Sequence, residues 1–118
     1  MIPKYRAWDR ETKSMNGMAE IYRNRKQEIE LHPRDENIIL MQSTGLRDKN
    51  GKEIFEGDIL EVNDWLEVVS FSEEKAMFVS KGIGFPETSL YDLLDSDIFT
   101  VEIIGNIYTN PKLAEVSS

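Results

Sequence analysis

Short apolar runs alternate with polar turn signals along this chain, and the pattern is densest between residues 38 and 62. Residues 38–41 are typical of a buried strand, which Thr44-Gly45 is expected to end. Asn50-Gly51 predicts a two-residue hairpin turn, because both residues tolerate positive φ. Gly57 predicts a second tight turn, since it accepts a backbone conformation that a side chain would block. The central stretch is therefore predicted to consist of short strands joined by turns.

The same kind of pattern continues on both sides of the central stretch. Tyr5 and Trp8 mark a first strand, and residues 15–18 are predicted to return as its partner. Residues 87–94 are expected to form a short helix or a bent strand, and Thr88 as an N-cap followed by three leucines favours the helix. Three more strands are predicted at residues 66–71, 76–81 and 99–108. Strands at such short intervals predict a mostly β fold.

The predicted architecture is a single mostly β domain spanning residues 1–118, as its length suggests. Residues 1–37 are expected to form an N-terminal β-hairpin or extension. Residues 38–112 are expected to form a small SH3-like barrel, so that the C-terminal two-thirds carry the barrel, with at most one short helix. Gly105 predicts a bulge or a corner in the last strand. Residues 113–118 are expected to be a polar tail.

Charge is distributed unevenly along the chain. Residues 1–34 carry eight Lys or Arg against five acids, whereas residues 35–118 carry six against seventeen, so their charges of +3 and −11 give the net −8. An acidic body repels phosphate backbones and argues against general nucleic-acid binding. A solvated acidic surface is favoured over the docking of a basic partner or the mimicry of nucleic acid.

The basic N-terminal third nevertheless leaves nucleic-acid binding as an alternative. Trp8 or Tyr22 would stack on bases, although Trp8 is expected to be a core anchor because aromatic side chains dominate buried area. The basic cluster at residues 23–26 is short and is followed closely by Glu28 and Glu30. The candidate contact residues are Arg6, Trp8, Arg10, Lys13, Arg23, Arg25 and Lys26.

The residue types argue against most catalytic chemistry. The chain has no cysteine and a single histidine, His32, so neither thiolate chemistry nor a histidine-based metal cluster or triad is expected. Residues 82–84 carry two glycines but lack the motif of a phosphate-binding loop. The segment that carries Asp92, Asp95 and Asp97 lacks the glycine of a calcium-binding loop. These carboxylates are therefore interpreted as solvated. No cofactor, metal or catalytic residue is predicted.

No apolar run is long enough to span a bilayer, and no signal peptide is recognised at the N-terminus. The lack of cysteine mildly favours a reducing cytoplasm. No membrane partner is therefore expected, and the predicted location is cytoplasmic.

Three segments together resemble the YopX family of phage and prophage proteins. They are Arg6-Ala7-Trp8-Asp9 with Lys13 and Met15, residues 40–59, and residues 102–111. The resemblance spans almost the whole chain and implies a mobile-element origin, a location in the host cytoplasm and a β-rich fold with a barrel-like C-terminal part. The family has no established biochemical role, so no functional residue is carried over.

The glycines, large apolar residues and aspartates of these segments are expected to have structural roles. Glycines are expected at turns or bulges, large apolar side chains in the core, and two aspartates as acceptors for turn amides. These residues are, in that order, Gly45, Gly51, Gly57 and Gly105; Trp8, Met41, Phe55 and Tyr108; and Asp9 and Asp58.

The expected function is that of a non-catalytic interaction module that binds a host or phage protein, or a second copy of itself. Nucleic-acid binding through the N-terminal third is the alternative. A metal-dependent hydrolase built on Asp92, Asp95 and Asp97 ranks last, because no other residue pattern supports it.

Overall fold

The computed structural model describes residues 4–20, 38–82 and 84–116. These residues form nine strands and two short helices, which confirms a mostly β fold. The expectation of at most one helix was wrong. The chain divides into two compact units, Met1–Ser43 and Thr44–Ser118. The SH3-like form of the barrel stays a prediction.

The first unit contains the predicted N-terminal hairpin. Strand β1 (Lys4–Asp9) pairs antiparallel with β2 (Ser14–Glu20), and β1 also pairs with the beginning of β3 (Ile38–Arg47). As predicted, Asp9 accepts turn amides, since its Oδ1 accepts from the backbone N–H groups of Glu11 at 2.9 Å and Thr12 at 3.3 Å. This aspartate replaces the backbone hydrogen bonds that the turn cannot make.

Strand β3 does not end at Thr44-Gly45, and that prediction was wrong. The strand runs on to Arg47, so Thr44 and Gly45 lie within it. Gly45 has a φ of +75°, which a glycine adopts at little cost. The Thr44 hydroxyl donates to the carbonyl of Ile54 at 2.7 Å, on strand β4 (Glu53–Phe55), which lies next to β3 in the sheet.

The loop between β3 and β4 differs from the predicted two-residue turn. Gly51 has a φ of +79°, but Asn50 does not have a positive φ. The Gly51 amide donates to the Asp48 carbonyl at 3.0 Å, and the Asp48 amide donates to the Lys52 carbonyl at 2.9 Å. This is the pattern of a type I turn followed by a glycine bulge. The Asp48 carboxylate favours it by accepting from the Asn50 amide at 2.9 Å.

The second unit is built on a five-stranded antiparallel sheet in the order β8-β7-β6-β5-β9. Its strands are β5 (Asp58–Val62), β6 (Trp65–Ser72), β7 (Met77–Lys81), β8 (Thr88–Ser89) and β9 (Val101–Asn106). Strand β9 is shorter than the predicted range of 99–108. The expected bulge at Gly105 is confirmed, because Ile59 faces Gly105 while Leu60 faces Ile103, which leaves Ile104 as the extra residue.

The turn before β5 is also as predicted. Gly57 has a φ of +84°, and Asp58, only 1% exposed, accepts at Oδ2 from the Phe55 amide at 2.8 Å. Phe55 is buried, as are Trp8 and Met41, the other predicted core residues apart from Tyr108, which is half-buried.

Helix α1 (Leu90–Asp95) covers one face of this sheet with Leu90 and Leu93. The N-cap is Ser89 and not the predicted Thr88, since Ser89 Oγ accepts from the Asp92 amide at 3.4 Å while Thr88 lies in β8. The buried side chains of the core cluster are Ile54, Leu60, Val62, Val69, Leu90, Leu93 and Val101. The core of the second unit thus lies between the sheet and this helix.

A second helix, α2 (Pro111–Val116), occupies residues 113–116 of the segment that was expected to be a polar tail, and the sequence pattern did not predict it. Proline suits its first position, where the missing N–H would have no helical partner. Asn106 stabilises the turn that precedes α2, because its Oδ1 accepts from the amides of Tyr108 at 3.1 Å and Thr109 at 2.8 Å. Neither helix of the described part has the length and apolar character needed to cross a bilayer.

Candidate interaction surface

The carboxylate of Asp48 is buried and joins the β3–β4 loop to strand β9. Its Oδ1 accepts from the amides of Asn50 and Lys52, each at 2.9 Å, and its Oδ2 accepts from the Ile103 amide at 2.9 Å. Burial by itself would raise the pKa of this carboxyl, but these hydrogen bonds, helped by the Lys52 charge, hold the pKa below its ordinary value. Asp48 therefore acts as an ionised structural clamp.

The same loop covers part of the edge of β9. The Lys49 amide donates to the Val101 carbonyl at 3.0 Å, and the Lys49 ammonium lies 3.4 Å from Glu102 Oε2. Exposed strand edges are templates for unwanted pairing, and a covering loop removes the unpaired groups. The β3–β4 loop therefore protects this edge of the sheet.

Three aromatic rings meet at the end of the sheet where β6 begins. The Trp65 indole stacks on Phe85 with centroids 5.9 Å apart and an interplanar angle of 25°. The ring of Phe99 meets the same indole edge-on at 6.0 Å. Trp65 Nε1 donates to the buried carboxylate of Glu67, which fixes the orientation of the indole. The rings are therefore held in a defined arrangement.

The turn that carries Phe85 depends on two glycines. The Phe85 amide donates to the Gly82 carbonyl at 3.3 Å, and Gly84 between them has a φ of +77°. A Cβ at Gly82 would lie 3.1 Å from the carbonyl oxygen of Leu66, so glycine allows this turn to pack closely against β6. Phe85 stays 55% exposed in this position.

The loop before β9 brings a fourth apolar side chain to the same end. Asn63, in the β5–β6 turn with a φ of +53°, accepts at Oδ1 from the Thr100 amide at 2.9 Å. The backbone N–H of Asn63 donates to the Thr100 carbonyl at 3.0 Å, and the side-chain Nδ2 donates to the Ile98 carbonyl at 3.4 Å. Ile98 is 77% exposed. We call Trp65, Phe85, Ile98 and Phe99 the aromatic platform.

Acidic side chains flank the aromatic platform. Asp64 directly precedes Trp65, and Asp97 directly precedes Ile98; both are exposed, as is Asp95 at the end of α1. The Asn63 hydrogen bonds hold the two segments that carry Asp64 and Asp97 beside each other. Exposed carboxylates therefore directly precede two residues of the aromatic platform in the chain.

A shallow cavity of about 230 Å³ adjoins Phe99. Leu94, Phe99 and Val101 line its apolar side, and Arg47 and Lys49 contribute charged side chains. Arg47 donates to the Gly51 carbonyl at 2.7 Å and lies 3.9 Å from a carboxylate oxygen of Glu53. Both cations are thus engaged with neighbouring groups of the protein.

Comparison with known proteins places the chain in a family. The family model described as YopX protein matches residues 4–115. The chain belongs to the YopX family. The crystal structure of protein EF1440 from Enterococcus faecalis is similar, with 31% sequence identity, a TM-score of 0.64, and coverage of 96% of this chain and 98% of that one. No curated protein matches the chain.

Part of the basic surface predicted to contact nucleic acid can be located in this YopX family member. Trp8 is buried, as its interpretation as a core anchor predicts, and Arg6 is half-buried with Nη2 3.6 Å from Met41 Sδ. Arg10 and Lys13 are exposed in the β1–β2 turn. Arg23, Arg25 and Lys26 lie outside the described residues, as does Tyr22. Contact with nucleic acid therefore stays a prediction.

The acidic residues considered for a metal are placed on and after helix α1. Asp92, Asp95 and Asp97 are all exposed. Among the described residues of this YopX family member, no three His, Cys, Asp or Glu side chains are arranged to hold a metal ion.

The sequence pattern does not predict the aromatic platform. Trp65 directly precedes the strand predicted at residues 66–71, and Phe85 directly follows the two glycines of residues 82–84. The available signal was Gly84-Phe85-Pro86, because a large apolar residue between glycine and proline cannot be placed in a strand interior. The stacking of Phe85 on Trp65 depends on two segments that are distant in sequence, so only the structure reveals it.

Proposed function

We propose that this YopX family member is a non-catalytic protein-interaction module, encoded by a phage or prophage and acting in the bacterial cytoplasm. The observation that carries the proposal is the exposure of large apolar side chains on the second unit. Ile98 is 77% exposed, Tyr91 60%, Phe85 55% and Phe71 42%. Phe85 and Ile98 belong to the aromatic platform, and exposed apolar groups that form a patch are typical of surfaces that bind other proteins.

The exposed rings are organised, which supports a role in binding. Phe85 is stacked on a tryptophan that is itself held by a buried carboxylate. Phe71 meets Phe78 edge-on with centroids 5.1 Å apart on the β6–β7 hairpin. Rigid aromatic side chains lose little conformational entropy on binding and are enriched among the residues that dominate interface energies.

The buried acid Asp48 also supports a non-catalytic role. A general base needs an oxygen that faces the substrate, whereas both Asp48 oxygens are engaged by backbone amides. The lowered pKa of Asp48 follows from these hydrogen bonds, so no catalytic role is needed to explain it.

Affinity capture from the bacterial host tests the proposal. Tagged wild-type protein, a Phe85→Ser variant and a Glu74→Gln control are incubated with the same lysate, and captured proteins are quantified by mass spectrometry. We expect at least one protein to be recovered stoichiometrically by the wild type and the control and to be depleted with Phe85→Ser. Because Phe85 and Glu74 are both exposed, neither change should unfold the chain.

Two results would contradict the proposal. One is capture that is equal for all three proteins, which would mean that the exposed rings do not take part. The other is the absence of any captured protein while the purified chain remains a monomer at all concentrations tested.

A further inference from the structure

We propose that the aromatic platform binds a partner segment that carries lysine or arginine side chains, with a cationic side chain lying across Phe85 and Trp65. This inference rests on the proposed function and identifies the class of partner and the surface that it contacts.

The ring geometry suits a long cationic side chain. Phe85 is 55% exposed and stacked on Trp65, so a ring face with a second π system behind it is open to a ligand. Lysine and arginine combine an apolar stem with a charged end, and both parts interact favourably with an aromatic face. Ile98, which directly precedes Phe99 in the chain and is 77% exposed, adds apolar surface for the rest of the segment.

The local charges select a basic partner over an acidic one. Asp64 and Asp97 are exposed in two segments that the Asn63 hydrogen bonds hold together, and Asp95 lies two residues before Asp97. Beneath the rings, the buried carboxylate of Glu67 accepts from the Trp65 indole. A negative surface of this kind attracts cations and repels anions.

Lys81 of β7 does not lie on the face of the sheet that carries Trp65. Lys81 is paired with Val68, three residues from Trp65 on the same strand. Since side chains alternate along a strand, Lys81 and Trp65 lie on opposite faces of the sheet. Lys49, beside the cavity that Phe99 lines, is paired with Glu102 at 3.4 Å.

Nuclear magnetic resonance of the full chain tests the inference. The probe is an acetylated and amidated hexapeptide of alternating leucine and arginine, and its counterpart contains glutamate in place of arginine. The readout is the indole N–H resonance of Trp65, with that of buried Trp8 as an internal reference. We expect a saturable shift of the Trp65 signal with the basic peptide and none with the acidic one.

Three variants connect the binding to the proposed surface. Phe85→Ser should abolish saturation, because it removes the exposed ring. The double change Asp64→Asn with Asp97→Asn should weaken binding by about threefold or more, as expected for losing exposed charge pairs. Glu73→Gln with Glu74→Gln removes the same charge from the exposed β6–β7 turn and should leave the affinity unchanged. The remaining resonances report whether each variant keeps the wild-type fold.

The inference fails if the basic peptide produces no saturable shift. It also fails if the acidic peptide binds equally well, or if the Asp64 and Asp97 variant behaves like the Glu73 and Glu74 control. Failure here is distinguishable from failure of the interaction function: Phe85-dependent capture of a partner in the lysate, without binding of the basic peptide, would retain an interaction module and reject the basic partner class.

Discussion

Two opposing electrostatic effects act on the carboxylate of Asp48. Burial disfavours the charged form, but three backbone amides and the Lys52 charge favour it more, so the pKa is lowered. The sequence identifies Asp48 only as a polar loop residue. The amide of Ile103, which is 55 positions away along the chain, supplies one of the three hydrogen bonds, and sequence spacing does not reveal such a partner.

Replacing this aspartate should cost stability in a pH-dependent manner. We expect Asp48→Asn to lower the free energy of unfolding by about 2 kcal/mol at neutral pH, since charge-assisted hydrogen bonds to buried amides are lost. The lowered folded-state pKa means that this contribution is complete above the unfolded-state pKa of about 3.9 and disappears as the pH falls through the folded-state value.

Urea denaturation of wild type and variant at several pH values measures this difference, with Glu74→Gln as a control for the loss of one exposed charge. The gap between wild type and Asp48→Asn should narrow in acid. A gap that stays constant from neutral pH to strong acid would show that the Asp48 charge does not carry the stabilisation.

Gly105 is a second residue whose role depends on a close contact. A Cβ at this position would overlap Asn110 Oδ1 and lie 2.8 Å from Asn110 Cγ. We expect Gly105→Ala to destabilise the chain by about 1–3 kcal/mol, the usual cost of overpacking. Thermal unfolding of the single variant measures the effect.

A double-variant cycle identifies the cause of that cost. Asn110→Ala alone loses the hydrogen bond between Asn110 Oδ1 and the Asn106 amide, at 3.3 Å. Combined with Gly105→Ala, it removes the overlapping atoms, so the double variant should be more stable than the sum of the two single effects predicts. Strictly additive costs would show that the Cβ clash is not the reason for glycine here.

At the scale of elements, the existence of the longer strands followed from the sequence, whereas β8 and several strand ends did not. Strand β3 continued past Thr44-Gly45 because a side-chain hydroxyl and a glycine with positive φ kept it paired with β4. The polar tail proved to be largely helix α2, begun by Pro111 after a turn that Asn106 stabilises. In each case, side-chain hydrogen bonds changed a boundary that composition suggested.

Helix α1 provides a prediction at the same scale. Leu90 is completely buried, whereas its neighbour Tyr91 is 60% exposed. We expect Leu90→Ala to cost about 2–4 kcal/mol through lost apolar contact and the cavity left behind. Tyr91→Ala on the same helix should change stability by no more than about 0.5 kcal/mol.

Chemical denaturation of the two variants under identical conditions checks this contrast. Because they are adjacent and both replace a large side chain by alanine, their helix propensities change in the same direction. Equal costs for Leu90→Ala and Tyr91→Ala would mean that α1 does not cover the sheet through Leu90.

For the whole molecule, the charge distribution separates the proposed interaction module from the nucleic-acid alternative. Residues 35–118 carry a charge of −11 and residues 1–34 a charge of +3, and the exposed Arg10 and Lys13 of the β1–β2 turn lie in this basic N-terminal third. We expect no saturable binding of labelled single- or double-stranded DNA at about 50 mM salt, where electrostatic attraction is already strong. Fluorescence anisotropy provides the measurement.

Binding that weakens steeply with added salt and is reduced by Arg10→Ala with Lys13→Ala would reverse this conclusion. It would favour the basic N-terminal third as the functional surface. Replacement of both Lys75 and Lys81, which are exposed on the second unit, removes the same number of positive charges and serves as the control.

The sequence by itself determined the mostly β class, the family resemblance, the turn at Gly57 and the bulge at Gly105. These features depend on local backbone preferences and on alternating apolar residues, which neighbouring positions encode. Only the tertiary structure decided that Asp48 is an ionised clamp, that Phe85 lies on Trp65, and that Ile98 remains exposed. Those features arise from contacts between segments far apart along the chain, and no local pattern specifies which distant side chains will meet.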